Sequence, residues 1–185
     1  MHLMALRADP REAALACQVL HAALMVLAAA AIADAATPED GGNARPIAML
    51  ALLATPWTTV TGSLAYSESG VLLGMGVAMR ACDIRGGWRA GIAAGLGLAT
   101  MVGAKASSAP LAVPAVLAWS MARSPHARDP RWWASVACVG SVSLFPWLLR
   151  NAVAMDAPAF PLLAGTLGRG WWTEPQAARW DAEIG

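Results

Sequence analysis

Three charged residues at the edges of apolar stretches have side chains that could do chemistry: Glu68, Lys105 and Arg150. A carboxylate can act as a general base, and an ammonium or a guanidinium can hold a phosphate. Tyr66 and Asn151 lie close enough in sequence to support them. Each of the three also has a purely structural interpretation. Glu68 could be a solvated turn carboxylate, Lys105 a lysine that snorkels to the interface, and Arg150 an arginine that favours the helix C-terminal dipole.

Other kinds of site find no support in the residue spacing. No Ser/His/Asp arrangement is recoverable, and the histidines and cysteines are too far apart for a metal site or a CxxC motif. We therefore expect no metal and no cofactor, and we expect the cysteines to be buried as small hydrophobic residues. The residues concerned are His2, His21, His126, Cys17, Cys82 and Cys138.

The composition is that of a membrane protein. Hydrophobic residues make up 57% of the 185 residues and charged residues 14%, with a formal net charge of +1. The sequence has no basic run, which argues against a nucleic acid as partner. The fold class predicted is all-α and integral to the membrane. About six transmembrane helices joined by short loops are expected, near residues 12–33, 46–62, 66–81, 89–105, 107–122 and 132–149.

These helices would form a membrane region over residues 1–150, and residues 151–185 would begin an exoplasmic segment. The apolar stretch 46–79 is too long for one crossing of a core about 30 Å thick. We divide this stretch at the polar region between Thr58 and Ser69, which is rich in helix-breaking residues and hydroxyl groups.

Arginines predict the orientation. Two short segments, Arg80 to Arg89 and Arg123 to Arg131, carry three arginines each and are predicted to be cytoplasmic. Six crossings then place the N-terminus outside, although Arg7 and Arg11 precede the first helix and argue for the opposite direction. The alternative of a cleaved signal peptide rests on an A-x-A pattern at residues 33–35, but the apolar stretch is longer than a signal peptide needs.

A stripe of small residues marks the fourth predicted helix. Positions four apart are small throughout, which predicts a face for close helix packing. The stripe consists of Gly87, Gly91, Gly95, Ala99 and Gly103.

Short motifs in a consistent order resemble the polytopic membrane glycosyltransferases of the GT-C fold, in particular the family 39, protein mannosyltransferase-like enzymes. Residues 146–151 (PWLLRN) followed by 157–161 (APAFP) resemble that family's "PWLLRN…GNPVYP" stretch. Residues 55–56 and 65–68 (TP and AYSE) resemble its "TP…AYxD/E" segment, and residues 91–105 resemble its glycine-rich segment ending in lysine. The tail around residues 171–180 is also similar.

The resemblance implies a membrane enzyme that transfers a sugar from a polyprenyl-phosphate donor to an acceptor on the exoplasmic side. It implies inverting chemistry with a carboxylate as general base. Lys105 and Arg150 would then contact the donor phosphate, with Tyr66 and Asn151 in support. The expected partners are membrane lipid and the polyprenyl-phosphate-linked sugar, and the expected location is the cell membrane. Ala106 and Asp156 depart from the family pattern, which has tyrosine and "GNP" at these places.

In that family the first exoplasmic loop carries the key acidic residues. Here the only adjacent acidic pair, Glu39 and Asp40, falls in a predicted cytoplasmic loop. We therefore expect the chain to be part of a longer protein that supplies the catalytic base, with Glu68 as the weak candidate if it does not.

A small multi-pass transporter or a non-catalytic membrane scaffold is the alternative. Transporters of this kind typically show an internal repeat with broken helices. No repeat is visible in the sequence, and composition alone does not separate the two classes.

Overall fold

A computed structural model of the chain describes residues 9–37, 42–64, 67–160 and 167–184, and every regular element in these ranges is helical. The prediction of an all-α fold is confirmed. Two 3₁₀ turns, Ala81–Asp83 and Ala106–Ser108, lie between helices. The α-helices are α1 (Pro10–Ala36), α2 (Ala44–Ala54), α3 (Pro56–Ser63), α4 (Glu68–Arg80), α5 (Gly87–Ala104), α6 (Ala109–Arg123), α7 (Pro130–Met155) and α8 (Glu174–Ile184).

Two helices in the described ranges are long and apolar enough to cross a membrane. They are α1, over Arg11–Ala36, and α7, over Pro130–Met155. Such a helix needs roughly 20 apolar residues. The helices α4, α5 and α6 have 13, 18 and 15 residues. Six crossings therefore stay a prediction.

The second predicted helix, residues 46–62, is two helices in the structure. The break lies at Thr55, whose ψ of 120° is extended, and Pro56 opens α3. A proline ring clashes with a helical conformation at the preceding residue and removes a backbone donor. The prediction of one continuous helix over residues 46–62 is therefore wrong. It was based on apolar composition, which does not include this local steric effect of proline.

The last predicted membrane helix, residues 132–149, runs on to Met155 and carries Pro146 in its interior. Its end was expected where charge begins, at Arg150. Backbone hydrogen bonds do not depend on side-chain polarity, so the helix continues past that point. The chain divides into two compact units, Met1–Val139 and Gly140–Gly185.

In the first unit, glycines let three helices approach closely. A Cβ on Gly97 of α5 would lie 2.6 Å from the Gly74 carbonyl oxygen of α4. On another face of α5, a Cβ on Gly91 would lie 2.5 Å from the Trp132 carbonyl oxygen at the start of α7. Gly91 belongs to the predicted small-residue stripe, whose role in packing is confirmed there. The contact through Gly97 adds a second packing face.

Contacts at glycines give the relative directions of α1, α4 and α5. Gly70 of α4 lies against Ala104 of α5, so these two helices are antiparallel. Gly76 of α4 lies against Ala31 of α1, and Arg80 pairs with Asp34 a turn farther on. The helices α1 and α4 therefore run parallel and end together.

Both arginine-rich segments lie at this same end. Gly87, at the start of α5, faces the Asp129 carboxylate before α7, with a distance of 2.7 Å from its ideal Cβ to Oδ2. The Cys82 thiol is next to Ser120 of α6. The sequence prediction that residues 80–89 and 123–131 share one side fits this arrangement.

The cysteines differ in environment. Cys17 and Cys82 are buried as expected, whereas Cys138 is exposed, which corrects the prediction for that residue. Burial raises the pKa of the Cys82 thiol. Cys82 is therefore a poor nucleophile at neutral pH, since only the thiolate reacts.

Candidate functional site

The centre of the candidate site is an ion pair between Glu68 and Lys105, which lie 37 residues apart in the chain. The Lys105 Nζ donates to Glu68 Oε1 at 2.5 Å. Glu68 is the first residue of α4 and Lys105 is the C-cap of α5. The antiparallel packing of these helices places the start of one beside the end of the other, and so brings the two residues together.

The ion pair lies on the wall of a cavity of about 460 Å³. The wall combines one cation, one carboxylate, several hydroxyl groups and an apolar surface. Such a mixture is typical of a site for a ligand that is polar at one end and apolar at the other. The lining residues are Trp57, Thr58, Thr61, Glu68, Val71, Leu72, Lys105, Ser107 and Ser108.

Local hydrogen bonds hold the polar wall in place. Ser108 Oγ donates to the Lys105 carbonyl oxygen at 2.7 Å and closes the turn after α5. Thr61 Oγ1 donates to the Trp57 carbonyl oxygen at 2.9 Å within α3. Both hydroxyl groups donate to backbone carbonyl oxygens, so each presents the lone pairs of its oxygen to the cavity. Lys105 is the cation among the lining residues.

The other predicted site residues are placed differently. Tyr66 lies outside the described residues. Arg150 and Asn151 belong to the second unit, where they lie inside α7 and not at its end. The sequence predicts that the helix ends at residue 149, before both residues, whereas α7 continues to Met155.

Asn151 has a structural role that the sequence did not reveal. It is only 1% exposed, and its Nδ2 donates to the Phe160 carbonyl oxygen at 3.3 Å. The Phe160 ring packs edge to face against Trp172, with centroids 4.9 Å apart. Arg150 Nη1 donates to Asn151 Oδ1 at 3.4 Å. The PWLLRN…APAFP motif therefore folds the chain after α7 back onto this helix.

Asn151→Ala is expected to destabilise the second unit by about 1–3 kcal/mol, because it removes the buried donor of the hydrogen bond to the Phe160 carbonyl oxygen. The measurement is limited proteolysis of residues 156–173 in detergent, where the variant should be cut faster than the wild type. Arg179→Ala, at an exposed position of α8, is the control. Equal cleavage of Asn151→Ala and wild type would contradict this role.

A second charge cluster joins α1, α2 and α4 at the end with the arginines. Asp34 accepts from Arg45 Nε and from Arg80 Nε, each at 2.7 Å, and Arg80 also pairs with Asp83 at 2.5 Å. Sequence analysis missed this cluster. The sequence signal for the cluster is a carboxylate, Asp34, at the end of one apolar stretch and an arginine, Arg80, at the end of another. The parallel packing of α1 and α4 brings the two together.

Metal chemistry has no candidate site in the described ranges, where no three His, Cys, Asp or Glu side chains form a group that could hold an ion. Comparisons with protein-family models, with curated proteins and with solved structures find no match to this chain.

Proposed function

We propose that this protein is part of a multi-pass membrane glycosyltransferase that takes a sugar from a polyprenyl-phosphate donor on the exoplasmic side. One observation carries the proposal. Segments that resemble the GT-C family and lie far apart in sequence meet at one cavity: Trp57 and Thr58, which follow the TP motif, Glu68, and Lys105.

The charge distribution supports an exoplasmic position for this cavity. The end of the first unit that holds Asp34 and Arg80 also holds the arginine-rich segments, and Lys105 lies at the opposite end of the α4–α5 pair. Cytoplasmic loops carry an excess of arginine and lysine. The first helix would then run from outside to inside despite Arg11, because Arg45 joins the larger group of arginines. That group is Arg45, Arg80, Arg85, Arg89, Arg123, Arg128 and Arg131.

In the proposed reaction, the Lys105 ammonium binds the donor phosphate, and Val71 and Leu72 offer apolar surface to the prenyl chain. An acceptor hydroxyl oxygen attacks the anomeric carbon of the sugar. The bond from that carbon to the phosphate oxygen breaks, and the phosphate leaves with the electron pair. A carboxylate takes the proton from the hydroxyl group, and Glu68 is the candidate in this cavity.

The test is photo-cross-linking with a polyprenyl-phosphate hexose that carries a photoreactive group near the phosphate. Membranes should be taken from cells that make the protein from its own gene. We expect cross-links to peptides around Trp57 and Lys105, competed by unlabelled polyprenyl phosphate and not by the polyprenol. Cross-links that do not compete, or that map elsewhere, would refute the proposal.

The proposed topology predicts that cysteines at the two ends of the first unit react from opposite sides. Ser107→Cys and Pro125→Cys, both at exposed positions, are placed in a cysteine-free background. An impermeant maleimide added to intact cells should label the cysteine at position 107, and should label that at position 125 only after permeabilisation. Labelling of both in intact cells would rule out this topology.

A transporter is the second candidate, because one observation favours it. The break between α2 and α3 at Thr55 lies next to the cavity, and broken helices line the substrate sites of many transporters. Reconstituted vesicles separate the two functions. A transporter moves an intact solute across the bilayer, whereas a transferase releases polyprenyl phosphate from its donor.

A further inference from the structure

The ion pair places Glu68 where the donor phosphate would bind. Its Oε1 lies 2.5 Å from Lys105 Nζ, on the wall of the same cavity. We infer that Glu68 is a built-in competitor of the phosphate: the ligand displaces this carboxylate from the Lys105 ammonium. The inference rests on the proposed function, because it takes Lys105 as the phosphate-binding group.

The cavity makes coexistence of the two anions unfavourable. A phosphate against Lys105 would lie a few ångströms from the Glu68 carboxylate, and like charges at that distance repel. The side chains of Lys105 and Glu68 are 44% and 34% exposed, so an incoming ligand can reach the pair. Ion pairs with this exposure contribute little, about 0.2–1 kcal/mol, so a phosphate needs only a small advantage to replace the carboxylate. Exchange toward phosphate is therefore accessible.

The released carboxylate would keep a favourable environment. Glu68 is the first residue of α4, where the helix dipole stabilises negative charge. Glu68 can thus leave Lys105 and remain ionised in the cavity. Ligand binding would convert a carboxylate held by an ammonium into one that can accept a proton, which links donor binding to the availability of the base.

The alternative is that Glu68 only positions Lys105. The two interpretations predict opposite signs for the neutral variant Glu68→Gln. If Glu68 competes with phosphate, its neutralisation tightens phosphate binding. If Glu68 orients Lys105 for the ligand, its neutralisation weakens binding, because the lysine side chain loses its fixed position.

The experiment measures binding of farnesyl phosphate to the purified full chain in nanodiscs, with inorganic phosphate and farnesol as further ligands. Glu68→Gln is expected to bind farnesyl phosphate about 2–5-fold more tightly than wild type, and Glu68→Ala should follow it. Lys105→Met should bind at least about 10-fold more weakly. Glu174→Gln breaks an exposed pair with Arg169 and is the matched control, with unchanged affinity.

The outcomes separate the two proposals. Equal or weaker binding by both Glu68 variants overturns the competition, while the proposed function stands if Lys105→Met still loses affinity. No phosphate binding by any variant overturns both. If Glu68→Gln binds farnesyl phosphate more tightly than wild type does, but not inorganic phosphate or farnesol, the ligand is a lipid-linked phosphate.

Discussion

Lys105→Ala is expected to lower the rate of donor consumption by about 100-fold, since removal of one charged contact to a developing phosphate charge typically costs this much. The ammonium is the cation among the residues that line the cavity, so no neighbouring lining residue replaces it. Lys105→Arg should retain part of the rate, because it keeps the charge but distributes it over a planar fork that a point-charge site does not fit.

The measurement is release of polyprenyl phosphate from a radiolabelled polyprenyl-phosphate hexose. It uses membranes that contain equal amounts of each variant, made from the protein's own gene. Arg169→Ala is the matched control, because it also removes an exposed cation that is paired with a glutamate, here in the second unit. A rate for Lys105→Ala equal to wild type would show that this lysine only snorkels to the interface.

Gly97→Ala is expected to lower the free energy of unfolding by about 1–3 kcal/mol, and Gly97→Leu by more. A Cβ at this position would lie 2.6 Å from the Ala78 backbone nitrogen and 2.6 Å from the Gly74 carbonyl oxygen. Backbone atoms of α4 cannot move aside as a flexible side chain can, so the two helices must separate. Alanine's better helix propensity, worth about 1 kcal/mol, offsets only part of this cost.

Thermal unfolding in detergent micelles, followed by circular dichroism, tests this prediction. Leu96→Ala is the control on the neighbouring residue, whose side chain is 47% exposed, and it should change the midpoint much less. If Gly97→Ala were as stable as wild type, the close approach of α4 and α5 would be wrong. The position of Glu68 beside Lys105 would then lose its basis, since the same packing brings them together.

Helical class and one packing face of α5 could be predicted from the sequence. Apolar stretches separated by short charged segments predicted helices that the structure contains, and the glycine stripe predicted a packing face that Gly91 uses against Trp132. These features depend on residues near one another in the chain. Their physical cause, backbone hydrogen bonding and exclusion of side chains from a close helix contact, is local.

Helix ends were less predictable, because charge and apolar composition were used to place them. Thr55 ends α2 through the steric effect of Pro56, in the middle of an apolar stretch. Arg150 does not end α7, although the apolar stretch stops there. Asn151 was expected to support phosphate binding, whereas its side chain is buried and donates to the Phe160 carbonyl oxygen.

The sequence by itself determined which residue types could bind an anion and which segments would be helices. Glu68 and Lys105 were identified separately, each with a solvated alternative. Only the tertiary structure decided that they are partners. A separation of 37 residues in the chain does not fix the distance between two side chains, and the antiparallel packing of α4 and α5 brings these two together. Asp34 and Arg80 pair for the same reason, through the parallel packing of α1 and α4. Charges at helix ends meet according to helix direction and register, and the glycines let the helices approach closely enough for this.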